Sequence, residues 1–241
     1  MIPEDLSELV SNPRLIPGIH NYCDRWCERC PRTLRCSVFE IEQRNAAQQP
    51  SSDQENQSFW KAIEDSLALA LQMLEQRLQA EGIELTDELL RQSDRDLEQS
   101  ANRAANARCV QLARQYARLA SQALEQFDRQ RSQCKPLGID FPKPHAEALE
   151  IVSWYQSFLY TKLRRATESA QDEIGLDDAN GSAKVALVAA DRSLSAWGQL
   201  LNAYPEHQDA IFPLLTLLQK ITSEAEASFP QARDFKRPGL D

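Results

Sequence analysis

Apolar residues recur at three- and four-residue steps through most of the chain, the period of a helix with one buried face. Phe59, Ile63, Leu67, Leu71, Leu74 and Leu78 share such a face, and Gly82 ends the helix that carries them. Thr86, followed by Asp87 and Glu88, has the form of the next N-cap, with acids in the first turn. No Pro or Gly then occurs before Cys134. One unbroken helix of that length would reach about 70 Å, whereas a globule of some 200 residues is about 40 Å across. A break is therefore predicted, at Ser93-Asp94, where Ser93 and Asp96 form a capping pair. Beyond it Cys109, Leu112, Tyr116, Leu119, Ala123 and Phe127 make a clean stripe.

Residues 132–144 read as a loop with three prolines. The next helix is predicted from His145 to Ile174. Its apolar positions, among them Val152, Trp154, Tyr155, Phe158, Leu159 and Leu163, wrap nearly all round, which predicts a central helix. Leu176 to Gly181 reads as a turn, with Asn180 or Ser182 capping a helix over Ala183 to Ala203. Pro205 opens the last helix, with Ile211, Leu214, Leu215, Leu218 and Ile221 facing inward, and Pro213 kinks it or marks its true start. The tail from Phe229 to Asp241 is predicted irregular, packing through Phe229 and Phe235.

Ahead of the helices lies a different kind of sequence. Glu4 to Val10 is a short amphipathic piece, and Pro13 and Pro17-Gly18 then interrupt the chain. A brief helix is predicted over Ser37 to Arg44, anchored by Val38, Phe39 and Ile41. Residues 45–57, NAAQQPSSDQENQ, are polar and read as a flexible linker. The predicted organisation is thus a Cys-rich metal-binding segment over 1–44, a linker over 45–57 and an α-helical bundle domain over 58–241. The fold class is all-α, a bundle of five or six helices. There is no internal repeat and no heptad array of coiled-coil length.

Composition agrees. The 241 residues are 42% hydrophobic and include only seven glycines, and good helix formers dominate. The net charge of −9 argues against nucleic acid, whose phosphates need Lys and Arg, and against an anionic membrane surface. The first residues lack the basic start and apolar run of a signal peptide. No stretch of about eighteen apolar residues offers a membrane span. A cytoplasmic location is expected, where clustered thiols bind metal more often than they pair.

Four of the six cysteines, Cys23, Cys27, Cys30 and Cys36, fall within fourteen residues, in HNYCDRWCERCPRTLRC. Four thiolates complete a tetrahedral zinc site or hold an iron–sulfur cluster of the 4Fe–4S type. On a straight helix Cys23 and Cys30 would stand about 10 Å apart along the axis, so the segment must be a loop or broken turn. Arg25, Arg29, Arg32 and Arg35 are interleaved with the cysteines and would offset thiolate charge. Tyr22 and Trp26 would shield the sulfurs, and His20 is a spare ligand or supporting donor. The competing reading is a redox-active or disulfide-paired loop without metal. The C-x3-C-x2-C spacing also matches radical SAM enzymes, but no alternating βα pattern follows. Cys109 reads as a core residue and Cys134 as a loop residue.

In the helical part, Glu150, Tyr155, Lys162, Lys184, Asp191 and Arg192 are candidates to line a polar pocket; the plainer reading is inter-helix ion pairs and solvated faces. No Glu-x-x-His pair supports a di-iron centre, and no glycine loop supports phosphate binding. The motifs IHNYCDRWCERC, DANGSAKVALVAADRSLSAW and the closing RPGLD resemble a family of bacterial hypothetical proteins. The resemblance implies metal binding for Cys23, Cys27, Cys30 and Cys36 and nothing catalytic. Three functions follow as expectations. The first is a non-catalytic metal-binding protein, whose centre fixes the N-terminal segment or presents it to a protein partner. The second is an iron–sulfur redox or sensor protein, and the third an enzyme with a polar pocket in the bundle.

Overall fold

The computed structural model describes residues 12–47, 54–134, 142–170 and 175–241. Among these residues there are seven α-helices and no strand. They are α1 (Ser37–Ala47), α2 (Gln54–Glu81), α3 (Asp87–Asn106), α4 (Arg108–Cys134), α5 (Lys143–Ser169), α6 (Leu176–Ala203) and α7 (Gln208–Ser228). The all-α class is as predicted, with one helix more than the upper expectation. Helix takes up both ends of the predicted linker: α1 runs on to Ala47 and α2 starts at Gln54. The rest of that linker and the predicted Glu4–Val10 piece lie outside the described residues, as do the side chains of Phe59 and Cys134. The chain forms two units, Met1–Arg95 with Pro238–Asp241, and Asp96–Arg237.

In the second unit α4, α5, α6 and α7 pack as a closed ring, each helix against the next and α7 back against α4. Short connections between successive helices are those of an up-down bundle. The α4 stripe is buried as its spacing requires, at Cys109, Leu112, Tyr116, Ala123 and Phe127, with Leu119 half-buried. Trp197 is fully buried, and its Nε1–H donates to Tyr116 Oη at 3.0 Å. Phe127 meets Tyr204 edge-on at 5.5 Å. His145 and His207 serve this packing: His145 Nδ1 lies 2.9 Å from Tyr204 Oη, and His207 Nε2 lies 2.9 Å from Gln130 Oε1.

Three features differ from the sequence reading. The helix break falls at Ala107, not at Ser93-Asp94. There the Asn106 side chain donates to the Asn102 carbonyl at 2.9 Å, and Gln111 reaches the Ala105 carbonyl at 3.5 Å. Such side-chain bonds compete with the helical ladder. Secondly, α6 starts at Leu176, so the predicted turn is its first two turns. Asp177 and Asp178 lie in the first turn, where the dipole favours them. Asn180, Gly181 and Ser182 are buried helical positions rather than caps. Thirdly, the central helix is α6. It buries Ala179, Ala183, Ala186, Ala189 and Ala190, small residues that admit close neighbours, while α5 leaves Trp154 exposed. Pro213 lies inside α7, which is continuous through it.

Candidate metal centre

The cysteine segment is a run of three 3₁₀ turns, Ile19–Tyr22, Cys27–Arg29 and Thr33–Arg35, which lead into α1. Each turn is followed directly by a cysteine in extended conformation: Cys23, Cys30 and Cys36. The backbone N–H of Cys30 closes on the Cys27 carbonyl at 3.1 Å, and that of Cys36 on the Thr33 carbonyl at 3.1 Å. Short turns of this kind replace the straight helix that would have carried the cysteines past one another. Pro31 stands just after the second turn, where its fixed φ and missing donor suit a stop.

Two sulfurs accept backbone hydrogen bonds from two residues onward. Arg25 N–H donates to Cys23 Sγ at 3.4 Å, and Arg32 N–H to Cys30 Sγ at 3.4 Å. Arg25 adopts φ +58° to make the first of these, a conformation uncommon outside glycine and asparagine. Asp24 assists by accepting from Trp26 N–H at 3.2 Å. Donors aimed at sulfur stabilise negative charge there, which is what a thiolate ligand carries.

All four cysteines border one small cavity, together with Ile19, His20, Asp24, Arg25, Trp26, Thr33, Phe39 and Leu240. Its volume is about 20 Å³, close to the space one water molecule needs. Each cysteine is half-buried and free of disulfide. Burial, with the Glu42 carboxylate next, pushes the Cys27 thiol above its usual range, while Arg25 works the other way. Among the described residues no group of three or more His, Cys, Asp or Glu is placed to hold an ion as the side chains stand. The four thiols thus share a cavity without converging on a point within it.

The surrounding residues have definite partners. Arg25 pairs with Glu42 at 2.6 Å. The Arg29 guanidinium stacks over Trp26, 4.0 Å from the ring centroid. Arg35 Nε donates to the Arg14 carbonyl at 3.2 Å, and its own carbonyl accepts from Ile16 N–H at 3.0 Å. His20, Arg25 and Trp26 line the cavity; Tyr22 does not. Thr33, Phe39 and Leu240 also line it, although the sequence marks Phe39 only as a helix anchor and assigns none of the three to the site. Leu240 belongs to the closing RPGLD, and Gly239 beside it sits at φ +69° with Ile16 so close that a Cβ would lie 2.5 Å from its Cδ1. Leu240 of the closing RPGLD and the cysteine stretch therefore border the same space.

Five of the six polar candidates of the bundle have local contacts. Arg192 donates to Tyr155 Oη at 2.5 Å. Lys184 donates to the Arg233 carbonyl, and Asp191 takes a bidentate pair from Arg233 at 2.6 and 3.3 Å. Arg233 also bonds Glu226 at 2.8 Å, and Asp191, ahead of Glu226, holds its pKa above the usual value. Lys162 is buried with its Nζ 5.5 Å from the Phe158 ring centre, and Glu150 is exposed. None of the six borders the cysteine cavity or the shallow depression at Gln99, Asn102, Arg103, Asn106 and Ala107. Cys109 is buried on its stripe, as expected.

No protein-family model matches the chain, and no curated protein or solved structure matches it with significance. Among the described residues no helix is long and apolar enough to cross a membrane.

Proposed function

We propose that the segment from His20 to Cys36 is a four-thiolate metal site, and that the chain is a metal-binding protein in which this centre organises the N-terminal unit. The observation that carries the reading is the shared cavity: four cysteines, in or directly after three consecutive turns, border one space. The donor set fits. Thiolates are soft ligands, and two of the four already accept backbone N–H bonds. Inward rotation of half-buried side chains is the movement that loading requires.

The size of the cavity favours a single zinc ion, because about one atom-sized occupant fits the space as it stands. Four protein ligands with no open position make a structural rather than a catalytic zinc site. An iron–sulfur cluster is the second reading, supported by the compact spacing of all four ligands within fourteen residues.

Anaerobic purification of the full chain, followed by metal and sulfide analysis and a visible spectrum, tests both. One zinc per chain without colour is the expected result. Iron with acid-labile sulfide and broad visible absorption would transfer the site to the second reading. Cys27→Ser should lower the metal content to a small fraction of the wild-type value. Full retention of metal in that variant would remove the ligand assignment.

A further inference from the structure

The turns that carry the cysteines also present an outward surface. Leu34 is 89% exposed, more than any other large hydrophobic residue described. Arg32 and Arg35 stand on either side of it along the chain, both exposed, as is Pro31. The Arg35 N–H closes on the Arg32 carbonyl at 2.9 Å, and in a 3₁₀ turn residues three apart lie one above the other. A second stretch of chain joins them. Arg35 Nε donates to the Arg14 carbonyl, and the Arg35 carbonyl accepts from Ile16 N–H, so the exposed Arg14 runs beside the turn. Backbone contacts thus bring three arginines and one leucine to a single stretch of surface.

The metal centre does not account for these arginines. Of the four interleaved with the cysteines only Arg25 borders the cavity, and it pairs with Glu42. Among the described residues neither Arg14 nor Arg32 has a carboxylate partner, and Arg35 holds only the Arg14 carbonyl. Glu28 is the single acid between Arg25 and Cys36, so this stretch is basic in a chain whose net charge is −9. Clustered guanidinium groups recognise carboxylate-rich segments through charge-assisted, often bidentate hydrogen bonds. Leu34 adds an apolar contact between two of those charges. A nucleic-acid strand suits the surface less. Unpaired bases stack on open aromatic rings, and the one ring between Arg25 and Cys36, Trp26, lies under Arg29 and borders the cavity. The negative net charge also opposes a polyanion.

We infer that the surface of Arg14, Arg32, Leu34 and Arg35 is the docking site for an acidic segment of a protein partner, whose carboxylates meet the arginines and whose apolar side chain meets Leu34. The surface stands on the same turns as the proposed metal site but outside the cavity, so metal content and partner binding are separate readouts and fail separately.

The probe is an array of short fluorescent peptides of Asp and Glu, each with a single Leu or Phe at a different place, titrated with the full chain by fluorescence anisotropy. Saturable binding is expected, tighter than that of the same peptides with Ser in place of the apolar residue. Arg32→Glu with Arg35→Glu should weaken it on the order of tenfold, and Leu34→Ser severalfold, with metal content and helical circular dichroism as in the wild type. Because Arg35 also holds the Arg14 carbonyl, Arg14→Glu with Arg32→Glu gives a second pair that leaves this bond in place and should weaken binding likewise. Arg114→Glu with Arg118→Glu, exposed on α4, changes the net charge by the same amount and should have no such effect. Failure of every peptide in the array to bind overturns the inference. So does binding that both turn pairs leave intact, or that the α4 pair weakens as much. Tighter binding of single-stranded oligo(dT) or of phosphatidylserine vesicles, lost in the turn variants, would overturn it too and give the surface to nucleic acid or to a membrane.

Discussion

Tyr116 shows how one side chain ties the bundle to pH. Its hydroxyl is buried with the Trp197 indole as donor, and burial pushes the phenol up to about 12, the indole bond working against that rise. The folded chain therefore keeps a proton that the unfolded chain gives up near pH 10. A raised pKa contributes stability that is complete below about pH 10 and is lost as pH climbs through about 12; the amount at stake is roughly 2–3 kcal/mol. Denaturant titrations at pH 8 and pH 11.5 should show the loss, and Tyr116→Phe should flatten that part of the slope. An unchanged alkaline slope in the phenylalanine variant would assign it to other groups. At neutral pH the same variant should cost about 1 kcal/mol, for the lost acceptor of Trp197. Asp178 has the opposite sense. Burial alone would raise its pKa, yet the bonds from Arg165 and Ser169 outweigh burial and lower it. Its contribution is present above the usual carboxylate range and fades as pH falls below it.

Two glycines with nearly the same backbone separate what an element needs from what its neighbours allow. Gly82 follows α2 at φ +67°, and the N–H groups of Gly82 and Ile83 close on the carbonyls of Gln79 and Leu78. That is a left-handed helix stop of the kind glycine favours. Nothing lies within 4 Å of the Cβ that alanine would add, so Gly82→Ala should cost only the backbone conformation, about 1 kcal/mol. Gly239 has φ +69°, but there the new Cβ would meet Ile16. Gly239→Ala should displace the Leu240 segment from the cysteine cavity. Metal transfer to a chromogenic chelator should then speed up severalfold, while Gly82→Ala leaves that rate alone. Equal rates in the two variants would mean that Leu240 does not close the site. The same contrast explains what was legible in the sequence. Local signals read correctly: Gly82 as a stop, Thr86 as a cap whose Oγ1 accepts from Leu89 N–H at 3.2 Å, the α4 stripe as core. Signals that depend on a neighbour did not. Asn180-Gly181 has the form of a turn, but tight burial makes it helix. The α2 leucines have the form of a core face, but they are exposed. Leu240 carries no local sign of touching residues two hundred positions away.

At the scale of the whole chain, composition and contacts divide the chain at different places. The sequence places the boundary in the polar stretch 45–57, where composition changes. The structure places it within α3, so that α2 groups with the cysteine turns and the bundle begins at Asp96. Composition marks where a chain is polar; a unit boundary falls where few contacts cross, and only the folded chain decides that. The separate units imply separate stabilities. The cysteine unit has three short turns and few buried apolar residues, Leu15 and Ile19 among them. A closed metal site would supply much of its folding free energy. The bundle has Trp197, Tyr116, Phe127 and a set of fully buried leucines. Arg25, Arg29, Arg32 and Arg35 place trypsin sites in and between the turns, and cleavage there needs the backbone to open locally. Chelation, or Cys27→Ser, should therefore bring rapid cuts within residues 25–35 while the segment from α4 to α7 stays resistant and the near-ultraviolet signal of Trp197 persists. Resistance of the turns after complete metal removal would show that they hold themselves together. Simultaneous digestion of the bundle would show that the two units unfold as one.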